Sequence, residues 1–357
     1  MDGPAGWEPD APIRCSYLVP VRWADGEDRA GLAAHLARVT AVGAEAIVVD
    51  GSDPEVFAAN GAAFAAAGAT HMPPDPDLAC LNGKVAGALT AARRASHEAL
   101  VIADDDVRYD RAALARTVGL LAEHDLVRPQ NFFRPAPWHA RWDTARTLLN
   151  RACGRDYPGT LAVRRSSLRA TGGYDGDVLF ENLELMRTVA AAGGREAAPL
   201  DLYVARLPPS TRHFLGQRVR QAYDDFALPA RMTLWLAIVP GLLLAVARRR
   251  PGPPFAAAAI AVAVAERGRR RAGGRAVFPA SASAAAPLWL LERGVCAWLA
   301  LAVRLRRGGV RYAGSRIRVA ANSRRSLAAA LRSMQPEARR SRAGLRRPAP
   351  DRGPVDR

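Results

Sequence analysis

Three adjacent carboxylates, Asp104, Asp105 and Asp106, follow directly on the apolar run Ala99–Ala103. Like charges held this close raise one another's pKa unless a cation joins them. Asp104 and Asp106, two positions apart, fall on the same side of an extended segment. Their oxygens suit a hard divalent ion such as Mg2+ or Mn2+, which keeps coordination positions for phosphate. Such an ion would neutralise a departing diphosphate, acting as Lewis acid and template. Asp104 and Asp106 are therefore the expected metal ligands; without an ion the trio would be a solvated acidic turn before a helix at Arg111. A second feature is Lys84, the only lysine in a chain otherwise rich in arginine. A compact ammonium, rather than positive charge in general, is what that position supplies.

The elements that must hold these residues alternate between short apolar runs and helical segments. CSYLVPV (Cys15–Val21), EAIVVD (Glu45–Asp50) and ALVIAD (Ala99–Asp104) predict buried strands. Between them lie expected helices at Gly31–Thr40, from Pro54 to about Ala67 and from Lys84 to Ser96, followed by one at Arg111–Glu123. This alternation predicts a parallel sheet with helices on both faces. Ligands of such sheets bind beyond the carboxyl ends of the strands, which directs attention to Asp50–Asp53 and Asp104–Asp106. Further along, a helix around Trp138–Arg151, a strand Thr160–Val163, a helix from Glu181 and an amphipathic stretch Thr211–Phe226 are expected. The cluster Trp138, His139, Trp142 and Tyr157 offers rings that either stack on a ligand or fill the core.

Charge is unevenly spread. From Arg248 to Arg357 there are 25 arginines against five acidic residues, whereas the whole chain carries +17, so residues 1–247 are near neutral. A basic end points to nucleic acid or to an anionic membrane surface. The apolar segments beside it (Met232–Ala247, Pro254–Ala265 and Ala284–Val303) favour the membrane, and no nucleic-acid-binding module is recognisable. None of the three is an ideal span of about 20 residues, and arginines flank them all. Cys15, Cys80, Cys153 and Cys296 lack CxxC spacing, giving neither a zinc signature nor a disulfide framework. Met1–Asp10 is acidic and has no apolar core, so no signal peptide is expected.

VPV (Val19–Val21), VVDGSD (Val48–Asp53), the N-x-K of Asn82–Lys84 and the D-x-D of Asp104–Asp106 occur in an order that resembles the nucleotide-binding half of a family 2 glycosyltransferase with the GT-A fold. GTLAVRRSSLRATGGYDG (Gly159–Gly176) is similar to the segment that follows in that family, a small-residue strand before a GG-[FY]-D turn. FENLEL (Phe180–Leu185) stands where the family has E-D-x-[DE]-L, and QRVRQ (Gln217–Gln221) where membrane members have Q-x-x-R-W. The resemblance covers about residues 13–320, including GVRY (Gly309–Tyr312), and is greatest to ceramide-glucosyltransferase-like and synthase-like members.

The fold class implied is α/β: a Rossmann-like GT-A domain for nucleotide-diphospho-sugar transfer, followed by membrane-associated helices. The expected division is an extension at 1–12, the catalytic domain at 13–230, membrane-associated helices at 231–305 and a basic, disordered tail at 306–357. The resemblance assigns Asp50 and Asp53 to base and ribose, and Lys84 and Asp104 to the nucleotide sugar and its phosphates. It places Gln217, Arg218 and Arg220 at the diphosphate, where a guanidinium binds with two parallel hydrogen bonds. The family's base is the Asp of E-D, but Asn182 stands there, so Glu181 or Glu184 is expected to deprotonate the acceptor hydroxyl. The partners this resemblance implies are a nucleotide-sugar donor, UDP-linked, a lipid or glycan acceptor, and the membrane. The catalytic domain is expected on the cytoplasmic side of the cell membrane. Asn182, and Gln221 where tryptophan is usual, leave a non-catalytic nucleotide-sugar-binding relative as the alternative.

Overall fold

The computed structural model describes residues 11–24, 28–312 and 314–333. The segment Met1–Asp10, to which the signal-peptide expectation applies, and the tail beyond Ser333 lie outside these residues. The first half runs β1 (Ser16–Val21), α1 (Arg29–Ala41), β2 (Glu45–Asp50), α2 (Pro54–Ala66), β3 (Thr70–Met72), α3 (Gly83–Arg94) and β4 (Ala99–Ala103). These strands pair in parallel in the order β3-β2-β1-β4. Helix starts follow local chemistry. The Asp28 carboxylate accepts from Gly31 N–H, Pro54 opens α2, and the Asn82 side chain accepts from Lys84 N–H.

Next come β5 (Val107–Arg108), α4 (Arg111–Leu120), β6 (Leu126–Val127), β7 (Gln130–Phe133), α5 (Trp138–Cys153), β8 (Thr160–Arg164), α6 (Arg165–Ala170), α7 (Glu181–Ala191), β9 (Glu196–Ala197) and β10 (Tyr203–Arg206). Strands β8, β6 and β9 extend the sheet to seven, and β8 runs antiparallel to both β4 and β6. The sheet is thus mixed rather than wholly parallel, because an apolar run is blind to strand direction. A separate sheet, β5-β10-β7, pairs Arg206 with Val107 and so brings Arg206 beside the acidic trio.

The central strands bury both faces, which is why they read as continuous apolar runs. Tyr17, Val19, Val48 and Val101 face a core closed by Leu32 and Leu36 of α1 and Leu114 of α4. Leu18, Ile47, Leu100 and Ile102 face the opposite core, closed by Ala88 and Ala91 of α3 and Leu185 of α7. Each large aliphatic side chain buried this way contributes roughly 1.5–3 kcal/mol. Helix α3 lies close on β1: a Cβ at Gly87 would meet Pro20 Cβ at 2.8 Å. That approach sets the start of α3, and with it Lys84, at the strand ends.

The remaining elements are α8 (Thr211–Tyr223), α9 (Pro229–Ala247), α10 (Gly252–Arg270), α11 (Ala280–Ala284), α12 (Ala286–Arg307), β11 (Val310–Tyr312) and β12 (Ser315–Ile317). Helix α10 lies along α5, so close that a Cβ at Gly268 would collide with the Leu148 carbonyl. Leu148 shares a third core with Trp235, Ala265 and Trp289, while α12 packs on α8 and α9. Pro229–Ala247 and Ala286–Arg307 are long and apolar enough to cross a membrane, with 11% and 39% of their apolar windows buried inside the protein. The segment Pro254–Ala265 belongs to α10.

Disorder expected from residue 306 does not extend through the described part of the tail. After the β11–β12 hairpin the chain returns to the start of α7: Leu179 N–H donates to the Val319 carbonyl at 3.0 Å and Phe180 N–H to that of Ala320 at 2.8 Å. Residues 324–333 form a helix whose Ser326 N–H donates to Ser323 Oγ. Alanine and leucine between the arginines supply helix propensity and apolar contact that net charge conceals.

Candidate active site

The carboxyl ends of β1, β2 and β4 open onto a cleft of about 1190 Å³. Val21, Gly51 and Asp104–Asp106 line one side, the start of α7 and the face of α8 the other, and Arg311 and Tyr312 border it. At its centre Lys84 Nζ lies against Asp104 and donates to Glu181 Oε1 at 2.5 Å. Arg206 donates through Nε to Asp106 Oδ2 at 2.7 Å and through Nη2 to Asp104 Oδ2 at 3.1 Å. Gly159 makes room for this pair: a Cβ there would sit 2.5 Å from Asp104 Oδ2 and 3.0 Å from Arg206 Cζ. Asp105 turns the other way and accepts from Trp23 Nε1 at 2.6 Å.

Burial opposes charge at each of these groups, and the counter-charges decide the outcome. Burial disfavours the Lys84 ammonium, but Asp104 and Glu181 outweigh it and hold it above the ordinary lysine range. Burial likewise opposes ionisation of Asp104, yet Lys84 and Arg206 keep its carboxyl below the usual value. Asp106 goes the other way. Burial, reinforced by Asp104 and Asp105 against the pull of Arg206, lifts it to about 6.

Asp106 Oδ1 is buried and has no hydrogen-bond partner among the described residues. A carboxylate with one oxygen held by Arg206 and the other free, beside a second carboxylate, fits a hard divalent ion. Among the described residues no three His, Cys, Asp or Glu side chains converge as a complete metal cage. Two carboxylates with the other positions left to phosphate oxygens and water is the arrangement that Mg2+ favours.

Other expected residues divide between the cleft and the interior. Gln217 and Arg220 line the cleft, with Gln217 bonded to His213 and Arg220 stacked 5.2 Å from the Tyr312 ring centroid. Arg218 does not reach it. It is buried on the opposite side of α8, bonded to Asp143 Oδ1 at 2.9 Å and to Glu292 Oε2 at 2.8 Å. On a helix, positions two apart point about 200° from each other, which separates Arg218 from Arg220.

Asp50 is buried behind the cleft, accepting from Asn60 Nδ2 at 2.8 Å and Ser52 N–H at 2.8 Å and lying 3.1 Å from His71 Nε2. Asp53 is the exposed residue preceding α2 and is not among the lining residues. Glu184 points away from the cleft. It accepts from Asn322 N–H at 2.7 Å and Asn322 Nδ2 at 2.9 Å, which ties α7 to the returning chain. Of the two expected bases, only Glu181 lines the cleft. Asn182 donates to the Pro158 carbonyl.

Of the four clustered aromatics, only Tyr157 lines the cleft. His139 bonds the Pro209 carbonyl, and Trp142 donates to Glu292. Arg206 and Asp224 had not been singled out in the sequence. Arg206 comes from a strand with no motif, but Asp224 ends the amphipathic stretch carrying Gln217 and Arg220, and its acidic pair with Asp225 was a legible signal.

No protein-family model and no curated protein matches the sequence. Solved structures of related shape include a mannosyltransferase from Pyrobaculum calidifontis in complex with GDP-Man and Mn2+. It is 20% identical, with 81% of this chain and 87% of that one covered and a TM-score of 0.47. A glucosyl-3-phosphoglycerate synthase from Mycobacterium tuberculosis, in complex with Mn2+, UDP and phosphoglyceric acid, is 20% identical over 57% and 74%, with a TM-score of 0.39. Likenesses this loose bear no argument about fold or activity.

Proposed function

We propose that this chain is an inverting glycosyltransferase of the GT-A kind, moving a sugar from a nucleotide donor to a hydroxyl of a lipid or lipid-linked glycan. The observation that carries this reading is the convergence of Lys84, Asp104, Asp106, Glu181 and Arg206 in one cleft at the carboxyl ends of parallel strands. Each matches, or touches a residue that matches, a motif of the family 2 resemblance. Asp104 and Asp106 would hold a Mg2+ or Mn2+ ion, which when bound offsets the charge of the diphosphate. Arg220, with Gln217 beside it, reaches for the diphosphate oxygens from α8. A UDP-linked donor is proposed on the motif resemblance alone. Asp50 acts behind the site, holding the turn at Gly51 through Ser52 N–H, and Asp53 is given no contact with the nucleotide.

The apolar residues left exposed on α9 and α10, among them Leu243, Leu244, Val246, Phe255 and Ile260, support a seat at the membrane face. The arginines beside them would meet anionic headgroups, with the cleft on the cytoplasmic side. The testing experiment is release of nucleoside diphosphate from UDP-glucose and GDP-mannose by detergent-solubilised full-length protein, with and without Mn2+. Metal-dependent release that disappears in Asp106→Ala is the expected result. Nucleotide binding without release from any sugar nucleotide would leave the non-catalytic alternative.

A further inference from the structure

We infer that Asp224, rather than Glu181 or Glu184, is the general base that deprotonates the acceptor; this rests on the transferase reading above. Glu184 lies outside the cleft. Glu181 lies inside it but is already committed, its Oε1 receiving the Lys84 ammonium at 2.5 Å. That oxygen is taken up by the ammonium and is not free to face an acceptor hydroxyl. Asp224 follows α8 directly and lines the same cleft. Its Oδ1 is buried with no hydrogen-bond partner, and none of its oxygens is within ion-pair distance of a cation among the described residues. Arginines that would otherwise reach it are turned elsewhere: Arg220 stacks on Tyr312, while Arg231 and Arg293 lie 3.5 and 3.6 Å from the neighbouring Asp225.

The charged groups around Asp224 pull in both directions. Burial disfavours its ionised form, Arg220 on α8 and Arg293 on α12 favour it, and Glu181 on α7 and Asp225 oppose it. The balance sets the carboxyl at about 7, where one group is both a competent acceptor and a competent donor of protons. In the step assigned to it, the acceptor oxygen forms a bond to the anomeric carbon as that carbon's bond to the diphosphate oxygen breaks. The bonding pair leaves with the diphosphate, and the acceptor proton passes to Asp224. Glu181 then serves to place Lys84 against Asp104.

The test compares wild type, Asp224→Asn and Glu181→Gln in hydrolysis of UDP-glucose and GDP-mannose with Mn2+, where water is the acceptor. Nucleotide affinity is measured in parallel by calorimetry, and thermal unfolding confirms the fold. The expected result is a kcat loss of about 10²–10⁴-fold in Asp224→Asn with UDP or GDP affinity retained. The acid limb of the kcat/KM profile, near pH 7 in wild type, should vanish in Asp224→Asn and persist in Glu181→Gln. A limb that persists in Asp224→Asn but disappears in Glu181→Gln overturns the assignment and leaves the transferase reading intact. Absence of turnover by wild type with every donor overturns both.

Discussion

Two clusters of partly or fully buried charge, built from the same residue types, serve different ends in this molecule. In the cleft, Lys84 and Arg206 meet Asp104, Asp106 and Glu181 and still leave one oxygen of Asp106 without a partner. Beneath α8, Arg218 is matched by Asp143 and Glu292, with Gln221 at 2.9 Å and Trp142 donating to the same Glu292. The second cluster joins α5, α8 and α12 into one body. The first lines an open cleft at the carboxyl ends of central strands, whereas Arg218, Asp143 and Glu292 do not reach it, and that access is what admits a ligand. The two meet in one sequence motif, where Arg218 and Arg220 differ by two positions and go to opposite fates.

The comparison breaks most sharply at Asp106. Asp106→Ala should lower donor turnover by at least about 100-fold, the scale of losing one preorganised electrostatic contact to the transition state. Its melting temperature should fall only slightly, because Arg206 loses Asp106 but keeps Asp104; steady-state kinetics and thermal unfolding measured on one preparation check both halves. Arg218→Ala should invert that pattern. It strands Asp143 and Glu292 in the interior and should destabilise by about 3–5 kcal/mol, read from denaturant unfolding, while nucleotide affinity of the folded fraction is unchanged.

Gly159→Ala lies between these extremes. The new methyl presses on Asp104 and Arg206, so a cost of about 1–3 kcal/mol with a weakened metal response is expected. A milder effect, about 0.5–1.5 kcal/mol, should follow Asn322→Ala, which removes the Nδ2 hydrogen bond to Glu184 and keeps the one from the backbone N–H. Hydrogen exchange at the start of α7 would reveal that loosening.

The smallest effect concerns pH. Asp224 titrates higher in the folded chain, at about 7, than its ordinary 3.8, so folding binds its proton. That stabilising contribution is complete below about pH 4 and is lost as pH rises through 7. Asp224→Asn should therefore melt higher than wild type at pH 8, by about 2–4 °C for each kcal/mol recovered, and the gap should close toward pH 4.

Much of the parallel half of the fold was legible because β1, β2 and β4 are buried on both faces and leave uninterrupted apolar runs. Lys84 and the acidic trio stood out through residue type and position at strand ends. The sequence did not reveal Arg206, which reaches Asp106 through the pairing of β10 with β5, a contact between segments 100 residues apart. Nor did the E-N-L-E pattern reveal which glutamate faces the cleft, since helix rotation about α7 is set by Asn322 and the returning chain. Arginine abundance misled at the tail, where Ile317 and Ala320 are buried against the sheet-bearing core in spite of the surrounding charge.

That returning chain has a consequence for how the protein is made. Synthesis supplies the floor of the cleft early, with Lys84 and Asp104, while Tyr312 and the Val319–Ala320 pairing that braces α7 arrive after α12. A growing chain therefore carries a half-built cleft until the apolar helices have emerged. Assembly order alone therefore delays a finished cleft until α9–α12 have been made.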